Sequence, residues 1–288
     1  MREKFKRIWL SALTLLLTLS TLTLFASAAT DRAIPFPEGA TLTDVVLDGK
    51  QILKGEAVII NSTTYVPLRK FSELAGADKV SWNDKTKTAA VTIDGRDVYI
   101  TDGGFYVHSE GRFFFTVERI MNIGDRLYVP IRPIAASLGI SVEWDASLRR
   151  VILKSHKEAF INGKSYYNSD DLYWLARIIS AEAKGESLKG KIAVGNVVLN
   201  RVRSSSYPNT IYGVIFDKKG GTQFSPVSFG TIYQTPTEES VIAAKICLEG
   251  YSLSDRILFF MNPRIATNNW IERNRPYAFT IGNHRFYY

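Results

Sequence analysis

Glu182 is the residue whose type and position most favour chemistry, within residues 180–186. Leu175, Ile178 and Ile179 recur at helical spacing, and Glu182 follows the two isoleucines by four and three residues, so it projects from the same apolar face. Desolvation there raises a carboxyl pKa towards the value that a general acid needs near neutral pH. A glutamate whose stem packs while its head reaches water fits the spacing equally well, so both interpretations stay open.

Few other reactive groups accompany Glu182. Residues 169–288 contain one histidine, His284, and one cysteine, Cys247. A zinc hydrolase needs two or three imidazoles with a carboxylate, and a serine nucleophile would need a strand–turn–helix motif that is missing. Cys247 lies in an apolar, helix-like run, so we interpret it as a core residue. No glycine loop for phosphate is present, so we predict neither a metal nor a cofactor.

Carboxylate chemistry remains. A conventional glycosidase uses two working carboxylates. A single acid of raised pKa suffices when the sugar's own hydroxyl attacks, which is the route of a lytic transglycosylase. Several aromatic side chains are available to stack on sugar rings: Tyr173, Trp174, Phe224, Tyr233 and Trp270.

Capping residues and apolar spacing predict the helices that position these groups. Asn168 or Ser169 can cap a helix that leads to Glu182, with two aspartates in its first turn. A second helix is predicted from about Leu188 to Arg203, and Gly195 within it indicates the close approach of another element.

Weaker signals follow along the chain. Asn209 and Thr210 can cap a short helix, and residues 235–238 form a capping box with proline at the first helical position. Residues 257–261 are typical of a strand, and residues 279–288 of a strand or hairpin. Residues 223–227 contain too much turn chemistry for a regular element, so we predict a loop.

The first half of the chain contains an internal repeat. Residues 65–69, Tyr-Val-Pro-Leu-Arg, recur as Tyr-Val-Pro-Ile-Arg at residues 128–132. Each copy leads to a short helical stretch ending at a glycine, then to a tryptophan and a β-rich run. We predict an α+β module over residues 40–155 built from two half-repeats, with the tyrosine, arginine and tryptophan positions serving the core and caps.

The sequence divides into four segments. Residues 1–28 have the basic, apolar and small-residue pattern of a signal peptide, and an uncleaved anchor is the alternative. The module at 40–155, a linker at 156–168 and a second domain at 169–288 follow. The net charge is +8, of which +3 lies in the first 28 residues. This modest charge suits association with an anionic wall polymer, and because it forms no basic run it argues against nucleic acid as a partner.

Two resemblances refine these expectations. The paired Tyr-Val-Pro segments and the glycine-to-tryptophan spacing resemble the copper amine oxidase N-terminal-like, or stalk, domain. The module itself holds one imidazole, which argues against a copper site. Residues 170–288 resemble the cell wall hydrolase family typified by spore cortex-lytic enzymes, through segments at 175–186, 193–201, 223–227, 239–244, 262–263 and 282–286.

The second resemblance implies peptidoglycan as the substrate, with Glu182 as the catalytic residue. It places six further residues at recurrent motif positions, expected to bind substrate: Glu186, Asn200, Arg201, Gln223, Phe224 and His284. Family members have also been labelled amidases, so an N-acetylmuramoyl-L-alanine amidase stays open, as does a non-catalytic wall-binding protein.

The expected fold is α+β, with a β-rich N-terminal module and a mainly helical, lysozyme-like catalytic domain that carries a small β hairpin. The expected location is outside the cytoplasm, at the cell wall or spore cortex. Peptidoglycan is the expected partner. We expect no nucleic acid and no membrane after signal cleavage, and the sequence specifies no regulatory protein partner.

Overall fold

A computed structural model describes residues 34–156, 158–219 and 221–288. The predicted signal peptide, residues 1–28, lies outside the described residues. Within the described ranges, no helix is both long and apolar enough to cross a membrane.

The β-rich module folds into two sheets. The strands are β1 (Thr41–Leu47), β2 (Lys50–Ile60), β3 (Thr63–Pro67), β4 (Lys79–Asn83), β5 (Thr88–Ile93), β6 (Arg96–Thr101), β7 (Tyr106–Ser109), β8 (Arg112–Phe115), β9 (Met121–Ile123), β10 (Arg126–Pro130), β11 (Ile140–Asp145) and β12 (Arg150–Ser155). One sheet has the order β11-β12-β1-β2-β3-β10-β9 and the other β4-β5-β6-β7-β8. Alternating apolar residues face a shared core, as β5 shows.

The sequence repeat corresponds to a repeated strand–helix unit. β3 runs into α1 (Leu68–Leu74) and β10 into α2 (Ile131–Ser137). The two strands pair antiparallel, with Tyr65 opposite Pro130 and Tyr128 opposite Pro67, and both tyrosines are buried. The repeat therefore forms the middle of the larger sheet.

The other repeated positions behave differently. Arg69 donates to the carbonyl of Val80 at 3.1 Å, and Arg132 donates to that of Val142 at 3.3 Å, so each arginine ties its helix to the following strand. Trp82 and Trp144 are 39% and 44% exposed. The prediction of a core position is therefore wrong for the tryptophans, because both lie on exposed strand faces.

Capping side chains start the helices of the second half. They are α4 (Ser169–Ala183), α5 (Leu188–Arg203), α6 (Ile211–Phe216) and α8 (Glu238–Leu248), preceded by α3 (Gly163–Tyr166). The Asn168 side chain accepts from the backbone N–H groups of Asp170 and Asp171, as the sequence predicts. Thr237 rather than Thr235 caps α8, so Pro236 precedes the helix instead of opening it.

Shorter elements close the domain. α7 (Ser225–Phe229) and a 3₁₀ turn (Thr231–Tyr233) replace the loop predicted around residues 223–227, because proline in the first turn suits a helix start. α9 (Trp270–Asn274) had no clear sequence signal. The predicted hairpin, β14 (Tyr277–Ile281) and β15 (His284–Tyr287), gains β13 (Phe259–Met261), giving the order β13-β15-β14.

The second half buries a core between α4, α5 and α8. Leu175, Ile178 and Ile179 are fully buried there, and Cys247 lies within it, as predicted. Residues 37–288 form one compact unit, and Phe115 of β8 contributes to this core. The α+β architecture with a β-rich first half and a helical second half is therefore confirmed, while the exact domain and linker boundaries stay predictions.

Candidate active site

Glu182 lies one residue before the end of α4, and its side chain is half-buried. No described residue donates a hydrogen bond to its carboxyl group. Burial raises its pKa to about 7, and the charge of Arg201 partly opposes that rise. The carboxyl group therefore remains substantially protonated near neutral pH, which fits a proton donor.

Arg201, in the last turn of α5, is the cation that acts on Glu182. It is buried, and its Nε donates to the carbonyl of Leu258 at 2.8 Å. Three aromatic rings surround its guanidinium, at centroid distances of 5.0 Å for Tyr207, 5.1 Å for Phe224 and 5.5 Å for Phe259. Such packing keeps a charge in place within a poorly solvated site.

Two other predicted residues lie at Arg201. The Gln223 amide oxygen is 3.5 Å from the guanidinium, a long contact, while its Nε2 donates to the carbonyls of Lys219 and Gly221. Phe224 is 2% exposed and belongs to the core, so it packs against Arg201 and offers no face to a sugar. Glu182, Arg201, Gln223 and Phe224 therefore belong to one site, although substrate contact by the last three stays a prediction.

The contacts of Asn200 are structural. Its Nδ2 donates to the carbonyls of Ser254 and Ile257, at 2.8 and 2.9 Å, and the residue is buried. Both amide hydrogens are used to hold the loop before β13 against α5. The same loop presents Leu258 to Arg201, so Asn200 acts on the site through the backbone, and its predicted substrate contact is untested.

Glu186 ties the α4–α5 connection to the turn between β14 and β15. Its carboxylate accepts from the backbone N–H of Asn283, at 3.2 Å, and from the Asn283 side-chain amide, at 2.9 Å. Gly282 has φ +56, and a Cβ there would run into the Glu186 carboxylate. Buried Lys191 donates to the Glu186 carbonyl and pairs with Glu239. These contacts give Glu186 a structural task, and substrate binding stays a prediction.

His284 begins β15 with its ring turned towards the core, 5.3 Å from the ring of Phe260. It is 6% exposed, and its Nδ1 has no hydrogen-bond partner among the described residues. Burial lowers its pKa, although Glu186 opposes this, so the ring is neutral at pH 7. It lies with Glu186 rather than with Arg201, and its predicted role in substrate binding is untested.

Aromatic residues of α4 and α6 form an exposed cluster near the 3₁₀ turn. Trp174 packs edge-on against Tyr173, Tyr212 and Tyr233, and the three tyrosines are about half exposed. Arg177 lies over the Tyr173 ring and donates to the Gln234 carbonyl. Of the aromatics predicted to stack on sugars, Tyr173, Tyr233 and Trp270 present accessible faces.

Sequence reasoning missed Tyr207 and Phe259, which surround Arg201. Tyr207 lies in an irregular turn and Phe259 in a short strand, so neither belongs to a periodic pattern. The described residues contain no group of three His, Cys, Asp or Glu side chains placed to hold a metal. In the module, His108 is stacked between Tyr99 and Phe113, and this donor set does not fit copper.

Comparison with known proteins then identifies the family. A model described as Cell Wall Hydrolase matches residues 185–287, a range that begins three residues after Glu182. The cell wall hydrolase CwlJ of Oceanobacillus iheyensis is 30% identical over 111 residues, which are 36% of this chain and 77% of that relative. The chain belongs to the cell wall hydrolase family.

Two further proteins are similar to part of this cell wall hydrolase. The spore cortex-lytic enzyme of Bacillus cereus is 38% identical over 120 residues, or 42% of this chain and 45% of that relative. This chain thus spans less than half of the length of that relative. The catalytic domain of the germination-specific lytic transglycosylase SleB from Bacillus anthracis is 37% identical over 45% of this chain and all of that chain, with a TM-score of 0.39.

The module of this cell wall hydrolase has its own match. The copper amine oxidase N-terminal domain model matches residues 46–153 and 110–170. Both resemblances found in the sequence are therefore confirmed.

Proposed function

We propose that this chain cleaves the glycan strands of peptidoglycan as a lytic transglycosylase, with Glu182 as the acid and base. The observation that supports the proposal is the Glu182 carboxyl, whose pKa burial raises to about 7, in a member of the cell wall hydrolase family. No second carboxylate among the described residues shifts that pKa, and one acid suffices when the attacking group belongs to the substrate.

The proposed reaction consumes no water, because the attacking hydroxyl belongs to the substrate. Glu182 donates its proton to the glycosidic oxygen, and the bond between that oxygen and the anomeric carbon breaks. The C6 hydroxyl oxygen of the same muramyl unit bonds to the anomeric carbon and closes an anhydro ring. The hydroxyl proton passes to the Glu182 carboxylate, which restores the acid. Arg201 stabilises the carboxylate while it is ionised.

The proposed place of action is outside the cytoplasm, after removal of the predicted signal peptide. The substrate is the vegetative wall or the spore cortex, and the names of the spore cortex-lytic relatives favour the cortex. The module at residues 40–155 is proposed as a stalk that supports the catalytic domain.

Product analysis of Glu182→Gln tests the proposal. The purified chain, the variant and a control with Glu158→Gln, an exposed glutamate, are incubated with peptidoglycan, and the soluble products are identified by mass spectrometry. We expect anhydro-muramic products from the first and third proteins and none from Glu182→Gln. Free stem peptides with intact glycan would instead establish an amidase, and full activity of Glu182→Gln would remove this residue from the mechanism.

A further inference from the structure

A cavity of about 370 Å³ opens on the outer face of the three-stranded sheet. Its walls are Glu272, Arg275, Tyr277, Thr280, Arg285 and Tyr287. Side chains alternate along β15, so Arg285 and Tyr287 lie on the face opposite His284 and Phe286, which face the core. Neither Arg285 nor Tyr287 belongs to the hydrophobic core of this half, and although Tyr287 is 2% exposed, the other walls on α9, β14 and the connection between them are exposed, so the cavity opens to solvent on that side.

The charged groups of the cavity are unequally satisfied. Arg285 donates to the Glu272 carboxylate at 2.7 Å, which uses the one carboxylate in the walls. Arg275 has no carboxylate partner among the described residues. Its guanidinium lies instead over the rings of Phe259 and Trp270, at centroid distances of 4.5 and 5.1 Å. The rings hold the cation through their π faces, and no described residue accepts a hydrogen bond from its N–H groups, which are available to a ligand.

The remaining walls add hydroxyl groups. Tyr277 is 57% exposed, and its hydroxyl lies 2.9 Å from that of Thr280. A planar guanidinium with adjacent hydroxyls matches a carboxylate, which accepts two parallel N–H bonds from arginine and a further bond from a hydroxyl. The two arginines and one glutamate leave the walls with a net positive charge, which has the sign that such a ligand requires.

One aromatic ring links this cavity to the candidate active site. Phe259 lies 5.5 Å from the Arg201 guanidinium and 4.5 Å from that of Arg275. Arg201 is in turn the cation that acts on Glu182. Phe259 therefore contacts a guanidinium group of the candidate active site and one of the cavity, and we expect a substituent of a polymer strand held at Glu182 to reach Arg275.

We propose that Arg275, in this cavity, binds a carboxylate carried by the wall polymer that Glu182 cleaves. This inference rests on the proposed function, because that function brings such a polymer to the cleft. Two sources share the chemistry: a carboxylate of the stem peptide, and the lactyl carboxylate of a muramyl sugar from which the peptide has been removed.

Binding measurements separate this proposal from the catalytic one. Calorimetry on the full chain carrying Glu182→Gln uses three soluble glycan oligomers: one with free stem-peptide carboxylates, one with those carboxylates amidated, and one stripped of peptides. Adding Arg275→Gln is expected to weaken binding of at least one carboxylate-bearing oligomer about tenfold and to leave the amidated oligomer unaffected. Arg275→Lys, which keeps the charge without the planar fork, is expected to recover part of the loss.

The control is Arg273→Gln, which removes the same charge from an exposed position of α9 outside the cavity and should change no affinity. Loss confined to the peptide-bearing oligomer identifies the stem peptide, and loss with the stripped oligomer identifies the lactyl group. Equal weakening of the free and amidated oligomers, no weakening, or no binding before Arg275 is changed overturns the proposal. Should Glu182→Gln remain active, the catalytic proposal fails, while the dependence of binding on Arg275 still decides this one.

Discussion

The Glu182 carboxyl illustrates how its surroundings, rather than a bonded partner, set the protonation state of an acid. Its pKa rises from the usual 4.5 to about 7 because burial disfavours the charged form. Each pKa unit is about 1.4 kcal/mol, so ionisation in the folded chain costs about 3 kcal/mol. Since the side chain is only half-buried, solvent screening reduces this to about 1–3 kcal/mol.

This energy predicts a pH-dependent gain in stability for Glu182→Gln. The folded chain holds the proton more tightly than the unfolded chain, so stability falls as pH rises from 4.5 to about 7. Glutamine removes that loss. We expect urea unfolding to show little difference at pH 4 and a gain of about 1–3 kcal/mol at pH 8. Glu158→Gln, at an exposed position, should show no such trend, and an equal gain at both pH values would contradict the argument.

If Glu182 is the acid, Arg201 is expected to influence the upper pH limit of activity. Its charge lowers the pKa of Glu182 against the effect of burial. Replacing it by glutamine keeps a donor for the Leu258 carbonyl and removes the charge, so the pKa of Glu182 should rise. In a profile of kcat/KM against pH, we expect the alkaline limb, near pH 7 in the native chain, to move upwards for Arg201→Gln. Arg203→Gln, exposed on the same helical turn, is the control, and a limb that stays or moves downwards would refute the coupling.

At the scale of elements, Gly195 permits the contact between α4, α5 and α8. A Cβ at this position would lie 2.7 Å from the Cys247 sulfur and 2.9 Å from Cδ1 of Ile179. Such a contact requires a shift of core atoms, and overpacking of this kind costs about 1–3 kcal/mol. The glycine thus accounts for how closely the three helices approach one another at Ile179 and Cys247.

The predicted outcome for Gly195→Ala is a loss of about 1–3 kcal/mol in urea unfolding, because the new methyl group meets the Cys247 sulfur. Cys247→Ala removes that sulfur, so the double variant should lose less than the sum of the two single losses. Gly185→Ala serves as the control, since a Cβ there would meet nothing within 4 Å. Strict additivity in the double-mutant cycle would show that the sulfur contact does not matter.

Elements were predictable from the sequence where periodicity and caps agree. The bounds of α5, the caps Asn168 and Thr210, and the turn at Gly282 follow from local signals. The helix start at Ser225 did not, because turn residues and a proline suit both a loop and a short helix.

The site was only partly predictable for a related reason. Glu182 and its desolvation follow from spacing along one helix, which is a local property. Tyr207 and Phe259 reach Arg201, and Arg275 reaches the cavity beside it, through non-local packing. No periodic pattern in the sequence predicts such contacts. The motif also places Asn200 and Arg201 side by side without indicating their different roles. Arg201 acts on the pKa of Glu182, whereas Asn200 holds the loop before β13.

At the scale of the whole molecule, the module and the helical half share a polar contact. Arg112 of β8 donates to both carboxylate oxygens of Glu249, just after α8, at 2.8 and 2.7 Å. The Tyr167 hydroxyl donates to the same carboxylate at 2.6 Å, and Tyr166 stacks on the Arg112 guanidinium. Nearby, Phe115 packs edge-on against Tyr251 at 4.7 Å.

This contact is buried, which separates it from the surface ion pairs of the chain. The Arg112 and Glu249 side chains are 14% and 7% exposed, against 58% and 60% for Lys154 and Glu143. A bidentate pair shielded from water holds a fixed geometry, whereas an exposed pair contributes little. The module is therefore expected to act as a rigid support that shares its stability with the catalytic half, rather than as a loosely tethered spacer.

Removing one partner of the buried pair tests that view. Arg112→Met leaves the Glu249 carboxylate buried without its cation, so we expect a loss of about 3–5 kcal/mol in urea unfolding. The double variant Arg112→Met with Glu249→Met removes both charges and should recover most of that loss. Lys154→Met, in the exposed pair, should change stability by less than about 1 kcal/mol. If Arg112→Met lowers the free energy of unfolding no more than Lys154→Met does, the two halves are energetically independent.

If Arg112→Met lowers it as predicted, the two halves should unfold together. Tryptophan fluorescence, to which Trp82 of the first half and Trp174 of the second contribute, should then show one urea transition, and its midpoint should shift as a whole in the variant.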